Sequence, residues 1–154
     1  LKKLHLDLNG IHEYQQNRSP YLLIEVADEI IPGKSARGYK NLRMDDWWFD
    51  VHFPNDPNMP GALQMEAMVQ LGALMVTTLP GNKGKVVYLT SANLKLIKKV
   101  IPGDRLEIEA ELLSWKRGMG KCSASGYVKK EKVCSLDFNI VMPHILAEYR
   151  VSKK

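Results

Sequence analysis

Two ionisable side chains stand where their surroundings make charge expensive. Glu66 lies in a run containing Leu63, Met65, Ala67, Met68, Val69 and Leu71, and a carboxylate buried among such residues favours its protonated form. His52 lies in an aromatic, proline-rich stretch just upstream. An imidazole and a carboxyl group whose environments push their pKa values apart form a natural acid/base pair. Gly61 adds a third element: it follows Pro60 at the expected start of a helix, where backbone N–H groups lack partners and the dipole is positive. Without a side chain, it lets a ligand oxygen approach the backbone closely. Each residue also has a purely structural reading. Glu66 could be a neutral acid held by Gln70 one turn on, His52 a packed loop histidine, and Gly61 part of a tight turn.

The three lie within residues 52–66, and one reaction uses all of them. Abstracting the proton α to a thioester carbonyl needs a base and stabilisation of an enolate-like oxygen. Expelling a β-hydroxyl needs a proton donor. Elimination of water from a 3-hydroxyacyl thioester fits the set. No metal or other cofactor is expected, because His52 and Glu66 lack the spacing of a zinc motif and His5, His12 and His144 lie elsewhere. No serine or cysteine has a nucleophile signature.

The elements that must position these groups follow from the apolar pattern. Residues 61–78 read as one helix, bounded by Pro60 and by Pro80-Gly81 and apolar nearly all round, hence buried. Residues 45–60 hold Trp47, Trp48, Phe49 and Phe53 together with Pro54, Pro57 and Pro60. Those prolines exclude a helix interior or central strand, and the aromatics exclude a fully solvated loop. A half-buried irregular loop is expected there. Residues 11–16 predict a helical turn, and 21–26 a buried strand. Residues 35–42 predict a second strand after the Pro32-Gly33 turn. Strands are also expected at 86–89 and 93–97. Further strands follow at 106–112, where Leu106, Ile108, Ala110 and Leu112 alternate with glutamates, at 122–128 and at 134–140. The fold class is α+β: a long buried central helix wrapped by an antiparallel β-sheet of five or six strands.

With 154 residues, 45% hydrophobic and 25% charged, the chain suits a single domain spanning 1–154 and excludes disordered or fibrous classes. No apolar run reaches the length of a membrane span, and LKKLHLDLNG at the start has no signal-like apolar core. With only Cys122 and Cys134, a reduced, cytoplasmic protein is expected. Residues 1–80 carry a net −3 and residues 81–154 a net +8. The basic residues are scattered and interleaved with glutamates, so an acidic protein partner is expected and nucleic acid is not.

His52-Phe53-Pro54, Pro57, Met59-Pro60-Gly61, Glu66-Ala67-Met68 and Gln70 resemble the 3-hydroxyacyl-[acyl-carrier-protein] dehydratase family of bacterial fatty acid synthesis. Residues 18–23, Lys40-Asn41, residues 100–104 and Arg117-Gly118 extend the likeness over almost the whole chain. The resemblance implies a single hot-dog domain with a curved sheet, a homodimer that in the family often assembles as a trimer of dimers, and an acyl carrier protein bearing a phosphopantetheine-linked substrate. It implies that His52 removes the α-proton and that Glu66 of the other protomer helps the hydroxyl leave. It further implies that Gly61 polarises the carbonyl through its N–H and that Gln70 positions Glu66. Glu at 66 resembles the branch that dehydrates without isomerising. Val51 stands where relatives usually carry Gly, adding β-branched bulk beside the imidazole and the substrate, and Gln16-Asn17 replaces a common Pro-His pair. Lys95, Lys98, Lys99, Arg105 and Lys116 are expected to face the carrier. Competing readings are a hot-dog module that binds acyl thioesters without converting them and a hot-dog thioesterase.

Overall fold

A computed structural model describes residues 2–151. In chain order the elements are β1 (Leu4–Leu6), α1 (Leu8–Tyr14), β2 (Val26–Ile31), β3 (Ser35–Asn41), α2 (Gly61–Thr77), β4 (Tyr88–Leu96), β5 (Arg105–Lys116), β6 (Met119–Val128), β7 (Glu131–Val141) and α3 (Pro143–Val151). The strands form one antiparallel sheet in the order β1-β2-β3-β5-β6-β7-β4. Helix α2 packs against β2, β3, β4, β5, β6 and β7, so the sheet curves around it.

That wrapping explains why α2 is apolar on nearly every side. From Ala67 to Thr77 every residue is buried, and no polar stripe is needed where no face meets water. Close approach is built in at Gly72, where a Cβ would come within 2.7 Å of Phe138 Cζ on β7. In β5, Leu106, Ile108 and Ala110 point to the helix while Glu107, Glu109 and Glu111 face solvent. Cys122 and Cys134 are free and buried. Burial pushes their thiols up to about 12 and about 11, so neither supplies a thiolate nucleophile. Among the described residues no helix is long and apolar enough to cross a membrane.

Several boundaries differ from the sequence expectations. The short helix near the N-terminus occupies Leu8–Tyr14 and is capped by Asp7, whose Oδ1 accepts the Gly10 N–H at 2.9 Å. The two strands expected at 86–89 and 93–97 merge into one continuous strand, β4, which leaves out residues 86, 87 and 97, and among the described residues the sheet has seven strands rather than five or six. Neither the three-residue β1 nor α3 was expected from the pattern.

The largest correction concerns residues 21–26. Leu23 and Ile24 are buried, yet the strand begins only at Val26. The missing ladder bonds go to a side chain. Gln70 Oε1 accepts the Leu23 N–H at 2.8 Å, and Gln70 Nε2 donates to the Tyr21 carbonyl at 2.8 Å. A glutamine on the central helix thus stands in for a neighbouring strand. We expect Gln70→Leu to lower stability by about 1–3 kcal/mol, because two backbone groups lose their partner. Denaturant midpoints measure this, and an unchanged midpoint would show that the segment is held by packing alone.

Candidate active site

The loop before α2 is anchored by its aromatic residues. Trp48 and Phe49 are fully buried and meet edge to face with ring centroids 5.5 Å apart. At the far end Met59 is buried, and its N–H reaches the Val100 carbonyl at 2.8 Å. Between these anchors His52 donates its backbone N–H to Trp48 and accepts the Asn58 N–H through its carbonyl. Its Nδ1 lies 3.0 Å from the Asn58 carbonyl oxygen. A carbonyl only accepts, so Nδ1 carries a proton, and in the neutral ring Nε2 is the nitrogen with the free lone pair. That is the tautomer of a general base. The Phe53 ring stacks on the imidazole at 4.2 Å, and the intervening peptide bond is cis. Val51 and Phe53 on either side are 66% and 52% exposed, an uncovered apolar surface flanking the imidazole.

Glu66 lies on the second turn of α2, at the head of an open groove of about 330 Å³. Burial pushes its carboxyl pKa up, and a hydrogen bond from the Gln70 amide opposes this without winning. Gln70 Nε2 has two N–H groups, so it can serve both Tyr21 and Glu66. The Tyr21 phenol is also pushed up, by burial first and then by the charge of Glu66. The helix flank thus holds a carboxylic acid that keeps its proton to higher pH than an ordinary glutamate.

Gly61 is the first residue of α2, whose N-terminus has no side-chain cap. The first helical bonds to the preceding turn come from Leu63 and Gln64, both to the Pro60 carbonyl. Packing supplies a second reason for glycine here, since a Cβ would collide with Leu96 Cδ1 of β4. The structure therefore brings Glu66 and Gln70 together in one groove and sets Gly61 at the helix start. His52 is on the preceding loop and does not line that groove.

Sequence reasoning passed over other groove residues. Gln15 and Thr77 are buried, while Lys85 lies at the exposed rim. Thr77 was legible in principle, being eleven positions from Glu66 on the same helical stripe. Gln15 was not, because only the fold carries α1 to that flank. Among the described residues no group of three or more His, Cys, Asp or Glu side chains could hold a metal ion.

Residues 17–137 match the model of the FabA-like domain family. The 3-hydroxyacyl-[acyl-carrier-protein] dehydratase FabZ of Clostridium novyi is 40% identical over 138 residues, covering 88% of this chain and 97% of that protein. The chain belongs to the FabZ-type dehydratase family. The corresponding FabZ of Caldicellulosiruptor saccharolyticus is 41% identical over 129 residues, with 83% of this chain and 92% of that protein covered. Among solved structures, the dehydratase heterocomplex ApeI:P from Xenorhabdus doucetiae has a TM-score of 0.75 at 14% identity. It covers 94% of this chain and 97% of that one. That likeness establishes the hot-dog fold.

In this FabZ-type chain the raised pKa of Glu66 fixes a sign. Between the unfolded carboxyl pKa and the higher folded value, the native state binds more protons than the unfolded state. The stabilising contribution is complete below the ordinary glutamate pKa and disappears as pH rises through the folded one. We expect Glu66→Gln to flatten this part of the profile and to melt above the parent protein at neutral pH. Thermal melts across an acid-to-neutral series check it, and parallel profiles for the two proteins would contradict it.

Proposed function

We propose that this protein removes water from 3-hydroxyacyl thioesters carried on acyl carrier protein, giving trans-2-enoyl thioesters, at sites that each draw on two chains. The observation that supports the shared site is the separation of its parts. One protomer offers an acid in an open groove and a base on a different, exposed loop.

His52 Nε2 takes the α-proton as the Cα–H bond breaks. The electron pair moves towards the thioester oxygen, where the Gly61 N–H at the positive end of α2 receives the charge. The Cα–Cβ double bond then forms as the bond to the β-hydroxyl breaks. Glu66 of the second protomer delivers its proton, so the leaving group is water. Proton transfer from the imidazolium back to Glu66 through solvent resets the site. Gln70 holds the Glu66 carboxyl, and Val51 narrows the approach beside the imidazole.

Homodimer formation has its own physical support. Among the described residues strand β4 pairs only with β7 and forms an end of the sheet. Tyr88, Leu96 and the following Ile97 are each more than half exposed. A nine-residue edge with apolar side chains is a template for another strand. Covering it with a second copy also brings another His52 loop to the α2 groove. The whole chain acts as one domain, and the reduced, buried thiols suit a cytoplasmic location.

The basic residues do not form one docking face. Lys98 pairs with Glu131 at 2.8 Å and Lys99 with Asp56 at 2.7 Å. Arg105 bonds Asn41 and lies over the Tyr39 ring. Register places Lys95 in the same row as Glu109, through Ser135 and Ser125. Lys116 lies further along β5, about 23 Å from that row at the usual rise per residue. Carrier docking therefore belongs to the Lys95, Lys98 and Lys99 end.

Incubation with a 3-hydroxyacyl carrier protein tests the reaction. Enoyl product is expected, whereas release of free acid or retention of unchanged substrate would overturn the assignment. His52→Ala and Glu66→Gln should each lose on the order of a hundredfold or more in kcat. Mixing the two variants should restore about a quarter of parental activity, since half the dimers are mixed and each holds one intact site. No recovery from a demonstrated mixed dimer would contradict sharing. Lys95→Glu should lower kcat/KM for the carrier-bound substrate roughly tenfold and spare a coenzyme A thioester. Lys116→Glu should change neither.

A further inference from the structure

The groove that begins at Glu66 does not end in an apolar wall. It follows one stripe of α2 through Val69, Gln70 and Ala73 to Thr77, about 16 Å along the helix. Val69, Ala73, Val86, Val87 and Leu89 give its walls apolar surface for an alkyl chain. At the far end two polar groups are buried without partners: Gln15 Nε2 and Thr77 Oγ1. Gln15 is 4% exposed and Thr77 0%. A buried donor left unpaired is costly enough that native structures rarely retain one without a use.

The surrounding bonds define the partner these groups need. Gln15 Oε1 accepts the Asn17 N–H at 3.1 Å, which fixes the orientation of the amide and leaves both Nε2 hydrogens to donate. The neighbouring acceptors on the last turn of α2 are already engaged. The Leu74 carbonyl takes the Thr78 hydroxyl, the Met75 carbonyl takes the Gly33 N–H at 2.7 Å, and the Val76 carbonyl takes Asn82 Nδ2 at 2.9 Å. Thr78 thus shows the ordinary helical solution for a threonine hydroxyl, while Thr77 lacks it. Lys85 lies on the rim of the same groove with no carboxylate partner among the described residues. The far end is a set of donors awaiting an oxygen.

We infer that this groove is the acyl channel and that Gln15 and Thr77 recognise a carbonyl oxygen at the distal end of the substrate. The preferred 3-hydroxyacyl thioester then carries an ester or carboxylate at the end remote from sulfur. This rests on the dehydratase reading and adds to it a substrate class. A plain alkyl terminus would leave both donors unpaired, and a site built for an oxygen discriminates strongly against an analogue lacking it.

The test compares three 3-hydroxyacyl carrier-protein substrates of matched length, ending in a methyl group, a methyl ester or a carboxylate. We expect kcat/KM for at least one oxygen-ended substrate to exceed that of the alkyl one by about tenfold or more. Thr77→Val, which keeps shape, and Gln15→Met should each bring that ratio close to unity, with melting temperatures confirming that both variants fold. If the carboxylate is the substrate, Lys85→Met should lower its kcat/KM more than that of the ester; if the ester is, the parent protein prefers it. Turnover of the alkyl substrate with no preference for oxygen overturns the inference and leaves the dehydratase reading in place. A preference that survives both variants also overturns it. Failure to dehydrate any of the three overturns both.

Discussion

The fold is organised around a carboxyl group carried on the flank of a helix that is otherwise core. Helix α2 is wrapped by six strands, and burial is what raises the pKa of Glu66. A carboxyl that holds its proton to higher pH than a surface glutamate is thereby obtained. Gln70 links this chemistry to the architecture. Its amide ties residues 21 and 23 to the helix and also bonds the carboxyl, so the acid is held by the same contact that closes the fold around it.

The proposed base is prepared by different means. His52 is poised by geometry rather than by burial: a backbone carbonyl fixes its Nδ1 proton, and an aromatic loop locked by Trp48 and Phe49 fixes its position. These two strategies occupy different parts of one protomer. An exposed, apolar edge strand lies beside them, and the proposed second copy would cover it. In the proposed dimer, assembly and catalysis have a common cause, because the exposed apolar edge adjoins the two half-sites.

Much of this was readable from the residues. The all-round apolarity of 61–78 gave the buried helix, and the alternation at 106–112 gave β5 with its solvent-facing glutamates. Glu66 drew attention because it interrupts that helix, and His52 because its loop is too aromatic to lie in water. The misplaced strand at 21–26 has a physical origin. Local pattern reports burial, but it cannot report that a side chain from residue 70 supplies the hydrogen bonds. Gln15 escaped for a similar reason, since its role depends on where α1 is carried by the fold. The basic residues expected to face a carrier are not all neighbours, because register, invisible in sequence, separates Lys95 from Lys116.

The account depends on the imidazole of one protomer and the carboxyl of the other bordering a single cavity. A crystal structure of the assembled protein measures that separation directly. We predict that His52 Nε2 and the partner's carboxylate oxygens both lie within hydrogen-bonding reach of one bound substrate analogue. Finding the two groups on opposite sides of every protein–protein interface would contradict it.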